Sequence, residues 1–221
     1  MVLKGFAHLF SVLFHPLLII IYVLFTFLLI NPYLFPYRHG NEFGTIFLIV
    51  FFTSVVIPAI AILLLYGTGL IQSLQLKDKS ERIGPLIITS ISYLWLFLNI
   101  RTHNAIPGLF SSFVLGAIIA IFLAFFINNF SKISLHGVGL GGMFFAILNL
   151  ILSYGRPMTS LQLSTDLTIT FHNILFLSMI VIIIGIVLSS RIYLKAHTIQ
   201  DVFGGFLVGF VSQIVALKLF L

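Results

Sequence analysis

Four residues near the carboxyl end of the chain have the types and spacing of a nucleophilic site. They form the pattern Ser190-Arg191-x5-His197-x3-Asp201. If the chain from about residue 197 onward is helical, His197 and Asp201 stand four residues apart on one face. A carboxylate in that position can fix the tautomer of an imidazole and leave its second nitrogen free to attack. Arg191 adds a planar, permanently charged donor suited to phosphate oxygens.

A second polar spot, residues 132–137, reads Lys-Ile-Ser-Leu-His-Gly between two apolar runs. His136 can protonate a leaving-group oxygen, which is the role of a general acid. Ser134 supplies a hydroxyl, and the small Gly137 lets backbone N–H groups approach an oxyanion closely. These residues would add acid catalysis and anion binding to the carboxyl-terminal pattern.

The densest run of charge lies between residues 77 and 82, where Lys77, Asp78, Lys79, Glu81 and Arg82 occur together. On a helix, Lys79 and Arg82 are i, i+3 neighbours, whereas Lys77 and Arg82 point away from each other. We therefore expect Lys79 and Arg82 to be the cationic donors of this cluster. Lys77 takes the place of Lys79 if the segment is a loop.

The rest of the chain is strongly apolar. Of its 221 residues, 60% are hydrophobic and 7% are charged, whereas a soluble domain carries about 25% charged residues. This composition excludes a water-soluble globule and a disordered chain, and the absence of cysteine excludes disulfides and thiolate metal sites. The net charge of +6 is scattered among loops, so nucleic acid is not an expected partner. No H-E-x-x-H motif or carboxylate cluster is present, so we expect neither a metal nor another cofactor.

Long uncharged runs predict membrane-spanning helices, since about 20 apolar residues cross the hydrocarbon core. We place them near residues 9–30, 45–66, 85–100, 109–128, 137–154, 171–190 and 201–220. The predicted fold class is all-α, a polytopic transmembrane bundle of six to seven helices forming one integral membrane domain over residues 1–221. The Gly205-x3-Gly209 pair predicts close helix packing, with a homodimer as the secondary interpretation.

The predicted helices also place the three polar clusters relative to the membrane. Two helices separate residues 77–82 from residues 132–137, and two more separate that spot from residues 190–201. An even number of crossings returns the chain to the same face, so all three clusters can meet on one side.

In order and spacing, the three clusters resemble the signatures of the type 2 phosphatidic acid phosphatase superfamily, which includes lipid phosphate phosphatases and vanadium haloperoxidases. That family carries K-x6-R-P, then P-S-G-H, then S-R-x5-H-x3-D, and the third signature matches here at every fixed position. The second keeps Ser134 and His136 but lacks the proline and the glycine. The first departs further, because Arg82 is followed by proline only at position 85 and Gln75 stands where the lysine is expected.

The resemblance spans about residues 77–201 and leaves residues 1–70 as anchor helices. It implies a phosphatidic acid phosphatase/haloperoxidase-like core and metal-independent hydrolysis of a phosphate ester or pyrophosphate through a phosphohistidine. His197 would be the nucleophile, Asp201 its orienting partner and His136 the acid for the leaving group. Five residues would hold the phosphoryl oxygens: Lys79, Arg82, Ser134, Gly137 and Arg191.

A membrane lipid bearing a phosphate monoester, or an isoprenyl pyrophosphate, is the expected substrate, because the clusters lie at helix ends within reach of the bilayer. The alternative is a non-catalytic or transporter-like membrane protein that retains a phosphate-binding fold. Transporters usually carry charged residues in mid-bilayer, whereas the charges here flank the apolar runs. A haloperoxidase is a further alternative.

Basic residues do not assign the face of the membrane that holds the clusters. Seven Lys and Arg residues lie on the side of the clusters and four on the other side. Lys79, Arg82 and Arg191 are expected to bind phosphate. Without these three, four basic residues remain on each side, so the positive-inside rule gives no orientation. Resemblance to bacterial lipid phosphatases favours a bacterial inner membrane with the site on the periplasmic or external face.

Overall fold

The computed structural model describes residues 2–35, 41–76, 78–155, 157–162, 164 and 167–221, and this part of the chain is mostly helical. Its α-helices are α1 (Val2–Leu13), α2 (Ile19–Ile30), α3 (Asn41–Phe51), α4 (Ile57–Gly67), α5 (Ile83–Ile100), α6 (Gly108–Phe130), α7 (Leu135–Asn149), α8 (Asn173–Tyr193) and α9 (Ile199–Phe220). A π-helical turn, Phe52–Val56, joins α3 to α4, and a second, Leu150–Tyr154, extends α7.

Six helical segments in the described ranges are long and apolar enough to cross a membrane. They are Gly44–Gly67, Ser80–Ile100, Gly108–Phe130, Leu135–Tyr154, Asn173–Tyr193 and Ile199–Phe220. The bent pair α1 and α2 makes a seventh span if it is counted as one. Many large apolar side chains on these helices, such as Trp95, Phe126 and Phe203, face outward, as expected where lipid is the solvent. The chain is consistent with a multi-pass membrane protein.

Two features differ from the sequence-based expectation. The predicted helix over residues 9–30 is wrong in its bounds, because it starts at Val2 and is broken after Leu13, with a 41° bend between α1 and α2. Pro16 lies in the break and has no N–H group to continue the helix, and the Val12 carbonyl accepts the His15 N–H at 3.2 Å instead. The second difference is a short antiparallel hairpin, β1 (Met158–Gln162) and β2 (Thr168–His172).

Helix α9 packs closely against α6 and α7 at the centre of the bundle. Small residues allow this approach: a Cβ at Gly209 would collide with the carbonyl of Val138, and one at Gly205 would lie 2.5 Å from the carbonyl oxygen of Ser134. The Gly205-x3-Gly209 pair is therefore occupied by α7 within the same chain. This close contact sets the amino ends of α7 and α9 side by side, where the second and third sequence clusters lie.

Candidate active site

One cavity of about 830 Å³ collects side chains from all three sequence clusters. Arg82 reaches it from the start of α5, His136 from the first turn of α7, and Arg191 and His197 from the connection between α8 and α9. The Ser134 N–H group donates to the carbonyl oxygen of Asp201 at 3.1 Å. That backbone bond ties the amino end of α7 to the amino end of α9. The geometry thus places cations and two histidines around one space.

His197 is positioned by the turn between α8 and α9. Lys195 adopts a positive φ of 54°, which reverses the chain before His197, and His197 itself is only 9% exposed. Its Nδ1 atom lies 3.5 Å from Oδ2 of Asp201. The contact is longer than an ordinary N–H···O hydrogen bond, but catalytic hydrogen bonds are often long until the substrate is bound. The geometry directs Nδ1 toward the carboxylate and leaves Nε2 as the nitrogen available to a ligand.

Asp201 has a second function in the helix cap. The Thr198 N–H donates to Oδ2 of Asp201 at 3.0 Å, and the Asp201 N–H donates to Oγ1 of Thr198 at 3.2 Å. This reciprocal capping box begins α9. The cap holds the carboxylate in place, so the orientation of His197 depends on a group that is itself anchored to the backbone.

Burial and the surrounding charges keep His197 neutral. Burial, followed by the positive charges of Arg82, Arg191 and Lys132, lowers the pKa of His197 to about 4, while Asp201 acts in the opposite direction. Burial also lowers the pKa of Lys132, with the Arg82 guanidinium acting in the same sense. At neutral pH the imidazole of His197 therefore has a free lone pair, which a nucleophile requires.

His136 is held by a residue outside the three clusters. Its Nε2 atom lies 2.9 Å from the backbone carbonyl oxygen of Ser11 on α1, and a carbonyl can only accept, so Nε2 carries a proton. His136 is 9% exposed and lines the cavity. Because Nε2 is engaged, Nδ1 is the nitrogen available for proton transfer.

Both arginines reach the cavity, but they are held differently. Arg82 is 5% exposed; its Nε donates to the carbonyl of Leu76 at 3.0 Å and its Nη1 to that of Ile133 at 2.9 Å. These bonds fix the plane of its guanidinium. The Nε atom of Arg191 is buried and has no hydrogen-bond partner among the described residues. Arg191 therefore has an uncompensated donor, as expected of a group whose partner is a bound anion.

Three of the predicted phosphate ligands do not line the described cavity. The Lys79 ammonium donates to the carbonyl of Phe130 at 3.0 Å. The Ser134 hydroxyl accepts from the Gly137 N–H at 3.3 Å and caps α7. A Cβ at Gly137 would lie 2.6 Å from the carbonyl oxygen of Val202, so this glycine permits helix packing. These contacts use Lys79, Ser134 and Gly137 in capping and packing beside the cavity, and their part in phosphate binding stays a prediction. Lys77, the substitute for Lys79, lies outside the described residues.

Three residues at the site had no assigned role in the sequence. Lys132 lines the cavity and lies inside the second polar spot, so its charge was the available signal. The carbonyl of Ser11 and the ring of His15 come from the break between α1 and α2. Neither stands at a recognisable spacing from another polar residue, and only the tertiary packing of that break on α7 brings them to the site.

Away from the cations, the same cavity is lined by apolar side chains of α2, α4, α5 and α6, among them Ile20, Leu63, Leu86 and Ile121. Gln213 of α9 also lines it and lies about 21 Å along the helix from Ile199 at 1.5 Å per residue. A cationic end and a long apolar region thus form one continuous space.

No protein-family model, curated protein or solved structure matches this chain. The chemistry of the site is therefore inferred from its geometry: a neutral buried histidine with a carboxylate at Nδ1, a second histidine, and a set of cations, all around one cavity.

Proposed function

We propose that this protein is an integral membrane lipid phosphatase that hydrolyses a lipid phosphate monoester or an isoprenyl pyrophosphate through a phosphohistidine. The observation that carries the proposal is the continuity of the cavity. Its cationic end holds His136 and His197, and apolar side chains of four helices line the rest of its volume of about 830 Å³. The proposed core is that of the type 2 phosphatidic acid phosphatase superfamily, which the Ser190–Asp201 pattern resembles.

In the proposed mechanism, the guanidinium groups of Arg82 and Arg191 and the ammonium of Lys132 neutralise the phosphoryl oxygens. Such preorganised cations favour the charge that builds up in the transition state. Nε2 of His197 attacks phosphorus, and the bond from phosphorus to the leaving oxygen breaks. A phosphoryl O–H of the bound substrate monoanion first transfers its proton to Nδ1 of His136, whose Nε2–H stays on the Ser11 carbonyl, and His136 then delivers that proton from Nδ1 to the leaving oxygen. Asp201 stabilises the positive charge that develops on the His197 ring through Nδ1.

The second half of the reaction releases phosphate. A water molecule attacks the phosphorus of phosphohistidine, and the bond between phosphorus and Nε2 breaks. The neutral His136 now accepts a proton from that water, because the acid of the first step becomes the base of the second. His136 passes that proton to the phosphate, which leaves as the monoanion, and both histidines return to their starting protonation state. Residues of this chain supply every proton transfer in this scheme.

The proposed substrate is a membrane lipid because of the lining of the cavity. A phosphate pocket alone needs little apolar surface, whereas Leu86, Ile121 and their neighbours extend the space between the helices. Ligand sites of this kind bind through apolar walls and are oriented by a few polar groups. The charges at the helix ends do not fit the mid-bilayer charges typical of transporters, which disfavours the transporter-like alternative.

The proposed location is a bacterial inner membrane with the site on the periplasmic face. The chain has no cysteine, so a single Lys195→Cys variant offers one target for a membrane-impermeant maleimide. Labelling of intact cells supports a periplasmic site. Labelling that requires permeabilised cells contradicts it.

The proposed activity is tested by phosphate release from the detergent-purified chain. Phosphatidate, phosphatidylglycerol phosphate, undecaprenyl pyrophosphate and a lipid A phosphate form the substrate panel, and His197→Ala serves as the control. Release from at least one lipid by the wild type, lost in the variant, supports the proposal. Equal release by both proteins contradicts the role of His197, and no release from any lipid favours the non-catalytic alternative.

A further inference from the structure

The break between α1 and α2 opens into the candidate active site. Pro16 begins the short helical turn between the two helices, and the hydroxyl of Tyr22 donates to the carbonyl of Leu13 across the break at 2.6 Å. A Cβ at Gly139 of α7 would lie 3.1 Å from the Ile19 side chain, so the break packs tightly on the helix that carries His136. His15 lies in this break and lines the cavity.

The hydrogen bonding of His15 determines which of its nitrogens can serve a ligand. Nδ1 accepts a hydrogen bond from the backbone N–H of Leu17 at 3.3 Å, so this nitrogen carries no proton. In a neutral imidazole the proton then resides on Nε2. The ring centroid of His15 lies 6.0 Å from that of His136, with the two planes at 80°. A hydrogen-bond donor of fixed tautomer therefore stands beside the proposed general acid.

Capping of the turn explains the hydrogen bond to Nδ1 of His15, but it does not explain why the His15 side chain lines the cavity. Two other histidines make the same local bond: Nδ1 of His103 accepts from the N–H of Ala105 at 3.2 Å, and Nδ1 of His172 accepts from that of Ile174 at 3.3 Å. Both lie at the opposite ends of the helices from the catalytic cluster, and neither lines the cavity. Position distinguishes His15 from two histidines with the same capping bond.

We propose that His15 is a phosphate-binding residue whose Nε2–H donates to a phosphoryl oxygen of the lipid substrate. This inference rests on the proposed function, because the ligand it assigns to His15 is the phosphate group of that substrate. It gives the helix pair α1 and α2 a direct part in the site: the Ser11 carbonyl fixes the tautomer of His136, and His15 supplies a donor to the same ligand. It also supplies a donor that Lys79, which does not line the cavity, does not provide.

Two substitutions separate the nitrogens of His15. The amide of asparagine takes the place of Nδ1 and can accept from the Leu17 N–H, whereas the longer glutamine places its N–H near the position of Nε2. The probe is dodecylphosphonate, a lipid phosphate analogue whose carbon–phosphorus bond resists hydrolysis. Its Kd is measured by titration calorimetry on the detergent-purified full chain, with His103→Asn and His103→Gln as controls that alter the same capping bond elsewhere.

We expect His15→Gln to bind the probe within about twofold of the wild type and His15→Asn to bind about tenfold more weakly, the effect of losing one hydrogen bond to a charged group. Both His103 variants should bind like the wild type. Equal binding by the two His15 variants, or the reverse order, overturns the assignment of Nε2.

A second measurement on the wild-type chain does not depend on the folding of variants. With 15N-labelled histidine, addition of dodecylphosphonate should shift the Nε2 resonance of His15 and leave that of His103 unchanged. An unshifted His15 resonance at saturating probe overturns the inference. Phosphate release is measured on the same preparation. Turnover with an unshifted His15 resonance overturns the phosphate-binding role of His15 alone. A shifted His15 resonance without turnover overturns the proposed catalysis alone.

Discussion

Oδ2 of Asp201 lies 3.5 Å from Nδ1 of His197, and the same oxygen accepts the backbone N–H of Thr198 at 3.0 Å. One carboxylate oxygen thus serves both the start of α9 and the histidine proposed to attack phosphorus. A helix cap is rigid because its partners are backbone groups. The orientation of the proposed nucleophile is therefore tied to the folding of α9.

The two functions of Asp201 can be separated by substitution. Asp201→Asn keeps an oxygen for the cap but removes the charge that stabilises the His197 imidazolium, so we expect kcat for phosphate release to fall by about 10²-fold or more. Thr198→Ala removes the other half of the cap and should lower the free energy of unfolding by about 1 kcal/mol with kcat nearly unchanged. Equal losses of kcat in the two variants would mean that Asp201 acts only as a cap.

The pKa of His197 should respond to its neighbours with defined signs. Burial and the cations hold it near 4, below the ordinary value of about 6.5. Lys132→Met removes a positive charge and should raise the pKa of His197, whereas Asp201→Asn removes a negative charge and should lower it. Histidine-selective NMR titration of the ligand-free protein gives each value, with His197→Gln used to assign the resonance. A wild-type pKa near 6.5 would contradict the described environment.

The lowered pKa of His197 also predicts how acid affects stability. Between about pH 6.5 and pH 4 the unfolded chain binds a proton at His197 that the folded chain does not. The His197 contribution therefore destabilises the fold as the pH drops through this window. Thermal unfolding of the wild type should lose more stability from pH 7 to pH 5 than that of His197→Gln. The opposite difference would contradict a neutral buried His197.

The two arginines should differ in their effect on folding. Arg82→Ala leaves the carbonyls of Leu76 and Ile133 without a donor, and we expect it to destabilise the protein by about 1–3 kcal/mol. Arg191→Gln removes the donor that has no protein partner, so it should raise KM by about tenfold or more with little change in thermal unfolding. Unfolding temperature and KM are measured on both variants. A large loss of stability in Arg191→Gln would point to a structural role.

The apolar part of the cavity can be tested by filling it. Ala117 lines the cavity from α6. Ala117→Phe should lower kcat/KM for a long-chain lipid phosphate by about tenfold or more, because the aromatic side chain fills space that the hydrocarbon chain of the substrate would occupy. Release from water-soluble p-nitrophenyl phosphate should change little. Leu123→Phe, on an exposed face of α6, serves as the matched control. Equal losses of kcat/KM with both substrates would mean that the hydrocarbon chain of the substrate does not bind in this part of the cavity.

The parity of the membrane spans could be argued from sequence because it follows from the number of apolar runs. The expected helical i, i+4 relation of His197 and Asp201 was wrong: α9 begins at Ile199 with Thr198 as its extended N-cap, so His197 lies before the helix and approaches Asp201 across the capping turn. The structure places Arg82, His136 and His197 around one cavity. Local sequence patterns could not show which of the predicted phosphate-binding residues line the cavity. Ser134 and Gly137 are used for capping and helix packing, and these uses depend on how α7 meets α9, which no single segment encodes.

The contribution of the amino-terminal helices was missed for a related reason. Residues 9–30 are apolar enough to read as one span, and hydropathy does not reveal the break at Pro16. Ser11 and His15 reach the site only because that break packs on α7. The short hairpin of residues 158–172 was likewise hidden by its position between two long helices.

Trapping of the phosphoenzyme shows whether His197 is the residue that attacks phosphorus. The detergent-purified chain is mixed briefly with a lipid labelled with 32P in its phosphate group, quenched in alkali and mapped by mass spectrometry. We expect an acid-labile, alkali-stable phosphate on His197 that is absent from His197→Ala and accumulates in a variant slowed in the water step, such as His136→Ala with an activated leaving group. Label on another residue, or phosphate release by His197→Ala at the wild-type rate, would contradict it.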